Sequence, residues 1–154
     1  MPRRHARQLL ESRHYNNSHR ASCATGPKVL SGRMQTLRVL VIEDDALIAM
    51  MLGEMLSDLG HQVCATATTP AEAIAAARQE APDLLLSDVK LRNGSGIDAV
   101  EEILRSRPVS HMFMTGDTAG LKLRLPDAVA VRKPFSAAAL AKAIEKAVEA
   151  GATS

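Results

Sequence analysis

From Leu37 onward the chain switches repeatedly between two spacings of apolar residues. The run "LRVLVI" (37–42) is β-rich, and "ALIAMMLGEMLSDLG" (46–60) places apolar residues at helical spacing ahead of Gly60, which suits a helix end. A second short strand, "HQVCATA" (61–67), precedes "TPAEAIAAARQEA" (69–81). There Thr69 stands at the cap, Pro70 at the first helical position and Glu72 three residues past the cap, the signature of a capping box. Then come "DLLLSD" (83–88), "GIDAVEEILRSR" (96–107), "VSHMFMT" (109–115), an irregular "GDTAGLKLRLPD" (116–127), and "AVAVRK" (128–133). "SAAALAKAIEKAVEA" (136–150) closes the series as an amphipathic helix capped by Ser136. Five strands alternating with helices predict an α/β fold with a parallel sheet covered on both faces. The interval between the fourth and fifth strands is short, and Gly116, Gly120 and Pro126 predict a curtailed or irregular fourth helix.

Composition narrows the picture. With 154 residues, 46% apolar and 2% aromatic, the chain can bury one modest aliphatic core. No run approaches the roughly 18 apolar residues of a membrane span, and no secretory signal opens the chain, so a soluble cytoplasmic protein without membrane association is expected. Cys23 and Cys64 match no ligand spacing and read as reduced thiols.

Charge divides the chain in two. Residues 1–36 hold seven basic residues against Glu11 alone, so the net charge of +2 conceals a remainder with twelve basic and sixteen acidic residues. Residues 1–36 show no sustained period and read as a basic disordered extension. Its composition suits an arm for nucleic acid or an acidic surface, an organellar presequence, or an extension without a role, with Met34 as an alternative start. Residues 37–150 form the domain, and residues 151–154 a tail.

The candidate chemistry lies where the strands end. In open α/β sheets, ligands gather beyond the carboxyl ends of the strands, at the point where strand order reverses. The first strand ends in Glu43, Asp44 and Asp45, the third in Asp88, the fourth in Thr115, and the fifth in Lys133, followed by Pro134 and Phe135. In a flavodoxin-like order 2-1-3-4-5 the acidic ends of the first and third strands lie side by side, where their mutual repulsion implies a hard divalent cation such as Mg²⁺. Asp45 reads as a helix-entry residue. Gly94 and Gly96, just after Asp88, are expected at positive φ, turning the backbone into the next helix.

"VLVIEDD", Asp88 after "LLLS", Thr115 after "MFM" and "KPF" at 133–135 occur in that order, and over residues 37 to about 149 the chain resembles the receiver domain of two-component response regulators. The resemblance implies that Asp88 is the phosphoacceptor. It also implies that Asp44 binds Mg²⁺ directly, Glu43 mainly through water, and the Lys90 backbone carbonyl as a further ligand, with Thr115 and Lys133 contacting the phosphoryl group. Phosphoryl transfer relies on positioning and charge neutralisation, which these residue types supply. A glycine at the position of Gly96 and a cis peptide bond before Pro134 are also implied. "FMTG" (113–116) is similar to the FATG signature of mostly stand-alone receivers, and the usual aromatic switch, three residues before the lysine, is replaced by Ala130.

The implied donor is a sensor histidine kinase or a histidine phosphotransferase. Output is expected through binding a downstream protein, since no helix-turn-helix or zinc-ligand pattern indicates a DNA-binding domain. A monomer or weak dimer is expected. Two other readings stand beside this one: a phosphorylation-independent, receiver-like binding module, and a haloacid-dehalogenase-like phosphohydrolase. The latter expects a second acid two residues after its nucleophile, where Lys90 stands. A flavodoxin-like electron carrier would need a phosphate cradle where the acidic "EDDA" (43–46) lies.

Overall fold

The computed structural model describes residues 35–153. In chain order the elements are β1 (Arg38–Ile42), α1 (Ala46–Asp58), β2 (Gln62–Ala67), α2 (Pro70–Glu80), β3 (Leu84–Asp88), β4 (Lys90–Leu91), β5 (Gly94–Ser95), α3 (Gly96–Ser106), β6 (Ser110–Thr115), α4 (Thr118–Arg124), β7 (Ala130–Arg132) and α5 (Ala137–Ala152). Five strands form one parallel sheet in the order β2-β1-β3-β6-β7. Counting only these five strands, that is the expected flavodoxin-like order 2-1-3-4-5. Among the described residues, no helix is long and apolar enough to cross a membrane.

The strand sequences are apolar at successive positions because both sheet faces are covered. Val39, Val41, Leu84, Leu86, Met112 and Met114 point to one side, where they pack with Leu52 and Leu56 of α1 and Leu140 and Ile144 of α5. Leu40, Ile42, Leu85 and Phe113 point to the other, against Ala73 and Ala77 of α2 and Ile97, Val100 and Ile103 of α3. The period of two along each strand thus feeds two cores, and a one-residue slip would exchange them.

Local signals hold with some revisions. Gly60, at φ 85°, follows the end of α1 as anticipated. Thr69 caps α2 by accepting from the Glu72 N–H at 3.2 Å, but the Glu72 carboxylate reaches past it to the Thr68 N–H (2.7 Å) and hydroxyl (2.8 Å), so the box closes one residue early. α4 is short, and Gly120 does not break it. The glycine lies inside the helix and donates to the capping carboxylate of Asp117 at 2.8 Å, where a side chain would collide with that carboxylate. α5 continues two residues past Ala150. Cys64 is a free thiol; Cys23 and the basic extension lie outside the described residues.

An element that the periodicity did not predict follows β3. β4 and β5 pair antiparallel as a minute hairpin with Arg92 and Asn93 at its tip. Gly94 adopts φ 136°, and a Cβ there would stand 2.8 Å from Cγ of Pro70. Gly96 differs from expectation, because its φ is not positive. It is required to be small because a Cβ would fall 1.7 Å from the Asp88 carbonyl oxygen and 2.4 Å from Ser87 Oγ.

Candidate functional site

Parallel pairing of β1 with β3, of β3 with β6, and of β6 with β7 brings four strand ends to one edge of the sheet. Glu43 follows β1 directly, and its N–H donates to the Ala67 carbonyl at the end of β2 (2.9 Å). That pins Glu43 against the sheet, where it is only 2% exposed. Its carboxylate accepts from the Asp45 N–H at 3.0 Å, while Asp45 caps α1 through the Leu47 and Ile48 amides. Burial pushes the Glu43 carboxyl above the usual carboxylate range, although the Asp45 N–H and the Lys133 charge oppose that rise.

Lys133 supplies the cation. It leaves β7 with its N–H on the Thr115 carbonyl (2.9 Å), which aims the side chain across β6 toward β3. Its ammonium donates to Asp88 Oδ2 at 2.5 Å and reaches Glu43 Oε2 at 3.4 Å. Burial alone would lower the lysine pKa, but the hydrogen bond and charge of Asp88, with the charge of Glu43, outweigh it and raise the value. The following bond, Lys133–Pro134, is cis, as the resemblance implied.

Asp88 ends β3 with both carboxylate oxygens engaged. Oδ2 accepts from Lys133, and Oδ1 accepts from the Lys90 N–H at 3.1 Å. Its carbonyl accepts from the buried Ser87 hydroxyl at 2.9 Å. The hydroxyl of Thr115, at the end of β6, accepts from the Asp117 N–H at 3.0 Å, toward α4. Lys90 itself is exposed. Asp44 turns to the hairpin, where Oδ2 accepts from the Arg92 N–H at 2.6 Å and lies 3.6 Å from Arg92 Nε.

The edge therefore gathers Glu43, Asp88 and Lys133 in direct contact, with Thr115 beside them through the backbone. Asp44 is tied to the hairpin instead. Sequence reasoning did not single out Arg92 or Ser87, since an arginine in a polar loop and a serine before an aspartate carry no periodic signal. The repulsion expected to require a metal is met in part by the Lys133 ammonium, so crowding alone does not demand Mg²⁺. Among the described residues, no three His, Cys, Asp or Glu side chains already form a metal cage. The donor chemistry nonetheless fits a hard cation, because Glu43, Asp44, Asp88 and the Lys90 carbonyl offer oxygen only.

Compared with known proteins, residues 39–145 match the model of the response regulator receiver domain. The chain is 39% identical over 128 residues to the transcriptional regulatory protein PdtaR of Mycobacterium tuberculosis, covering 80% of this chain and 62% of that protein. The solution structure of the PhyR response regulator REC domain of Erythrobacter litoralis superposes with a TM-score of 0.68 at 37% identity, covering 74% of this chain and 91% of that one. A crystal structure of the anti-anti-sigma factor PhyR of Bartonella quintana gives a TM-score of 0.65 at 35% identity, covering 75% of this chain and 48% of that one. The chain thus spans about three fifths of the length of PdtaR and about half of the Bartonella protein.

Proposed function

Because the chain belongs to the response regulator receiver domain family, we propose that it is a signalling phosphoacceptor that takes a phosphoryl group onto Asp88 from a phosphohistidine of a sensor kinase or phosphotransferase. The observation that carries this reading is the Lys133 ammonium 2.5 Å from Asp88 Oδ2 at the meeting of four strand ends. In the transfer, an Asp88 carboxylate oxygen attacks phosphorus, the O–P bond forms as the N–P bond of the donor breaks, and the departing imidazole keeps the bonding pair and takes up a proton. Such a reaction asks mainly for alignment and for positive charge near the transferred oxygens.

The chain's own groups supply both. Lys133 neutralises charge beside Asp88, Thr115 offers a hydroxyl whose proton can be donated while its oxygen accepts from the Asp117 N–H, and the Lys90 N–H orients Oδ1. Glu43, Asp44, Asp88 and the Lys90 carbonyl would hold Mg²⁺, which when bound supplies further charge neutralisation for the phosphoryl oxygens. Output runs through binding of a downstream protein. With Ala130 where an aromatic switch is usual, the modified surface changes around Thr115, Asp117 and the start of α4 rather than through a ring in β7.

The test uses a small phosphodonor. Acetyl phosphate with Mg²⁺ is expected to raise the intact mass by roughly 80 Da, one phosphoryl group. Asp88→Ala should abolish the adduct, and Asp44→Ala should reduce it strongly. Wild-type protein that binds Mg²⁺ yet stays unmodified would point instead to a phosphorylation-independent binding module.

A further inference from the structure

Arg92 holds a position that the proposed chemistry does not use. The β4–β5 hairpin is fixed at both of its strands. Lys90 donates its N–H to Asp88 Oδ1 (3.1 Å), and Gly94 lies so close to Pro70 of α2 that a Cβ there would stand 2.8 Å from Cγ. Gly96, the first residue of α3, donates its N–H to the Val89 carbonyl (3.1 Å) and fits against the Asp88 carbonyl. Between these anchors the two-residue tip delivers Arg92 to Asp44, which receives the Arg92 N–H at 2.6 Å and has the guanidinium Nε 3.6 Å away.

We propose that the hairpin is a built-in competitor for the metal-binding carboxylate, with Arg92 as the positioning residue that holds Asp44 and must yield when Mg²⁺ binds. The inference rests on the reading of Glu43, Asp44 and Asp88 as the metal carboxylates. Glu43 and Asp88 share Lys133 as their internal cation, and Asp44 has Arg92 as its own. A divalent cation entering such a set exchanges for protein charges already in place, so its apparent affinity falls by whatever the internal contacts contribute. The two contacts of Arg92 are separable. The guanidinium side chain is 77% exposed, so its hold on Asp44 is modest and weakened by salt, whereas the N–H contact survives any side-chain substitution except proline. Arg92 thereby sets how much Mg²⁺ the site requires without touching the phosphoryl group.

The experiment is a titration of the full chain with Mg²⁺ alone, followed through the backbone amides of residues 43–45 and 88–92 by NMR. Arg92→Ala is expected to bind Mg²⁺ roughly two- to five-fold more tightly than wild type at low salt, the range an exposed ion pair allows. The difference should shrink as monovalent salt rises, and Arg92→Lys should restore most of the weaker wild-type affinity by returning the charge. An Arg92→Ala affinity equal to or weaker than wild type overturns the competitor role while leaving the metal site standing. Absence of any Mg²⁺ response in both proteins overturns the metal reading and this inference with it. Unchanged amide positions outside the hairpin and its contacts show that the variant remains folded.

Discussion

His61, in the turn between α1 and β2, accepts the Leu37 N–H on Nδ1 at 3.3 Å, just ahead of the first strand. Burial holds its pKa below the ordinary imidazole value. A protonated ring cannot accept that bond, and its charge would sit in a half-buried place. A lowered folded-state pKa means that this contribution to stability is complete above the unfolded value, about 6.5, and is lost as pH falls through the folded value. Denaturant unfolding is therefore expected to show stability declining from pH 7 toward pH 5, by about 1 kcal/mol or less for one partly exposed hydrogen bond. Glu43 acts in the opposite sense. Its raised pKa relieves a burial penalty as it protonates, so the total pH curve mixes the two. His61→Gln, which keeps an acceptor but cannot titrate, isolates the histidine: its curve should be flatter than wild type by the His61 share. Parallel curves would show that His61 contributes nothing in this window.

At the scale of elements, the junction of β3, the β4–β5 hairpin and α3 shows what a sequence can and cannot announce. The strands were legible because covering both sheet faces demands unbroken apolar runs, and the caps were legible because Thr69, Ser136 and Asp45 are residue types that satisfy helix amides. The hairpin was not, since two-residue strands are too short to display a period. Gly96 was marked correctly as special but for the wrong reason, because positive φ and close approach select the same residue and only the folded backbone separates them. The distinction has a measurable consequence. In Gly96→Ala the new methyl group meets the Asp88 backbone oxygen as well as Ser87 Oγ, and the backbone cannot swing aside as a side chain can, so β3 or α3 must shift, at about 2–4 kcal/mol. At Gly53, in mid-α1, an added Cβ would meet nothing within 4 Å, and Gly53→Ala should raise stability by about 0.5–1 kcal/mol through helix propensity. Equal destabilisation by the two substitutions would remove the close-approach argument.

Over the whole molecule, the charge division and the completeness of the sheet bear on the same question. The strand-end residues were legible as a set because each follows an apolar run in order, and the sheet order then makes Glu43, Asp88 and Lys133 neighbours. The Asp44–Arg92 contact, set by the hairpin, was not readable from order alone. Within residues 35–153 the sheet has five strands with helices on both faces, Leu37 is fully buried, and no buried side-chain nitrogen or oxygen lacks a hydrogen-bond partner. Nothing within residues 35–153 calls on the basic residues 1–33, whose removal would take away seven of the nineteen basic residues and leave a net acidic remainder. A chain begun at Met34 is therefore expected to unfold in a single cooperative transition within a few degrees of the full chain, with a change of less than about 0.5 kcal/mol in stability, as for changes remote from the core. It should also bind Mg²⁺ and accept a phosphoryl group from acetyl phosphate to the same extent. Because the removed charge is positive, any electrostatic effect of the segment on Mg²⁺ would appear as tighter binding by the shortened chain at low salt, fading as salt screens it. A broad or lost transition in the shortened chain would show instead that residues 1–33 contribute to the core, and the division of the chain at the first strand would fall.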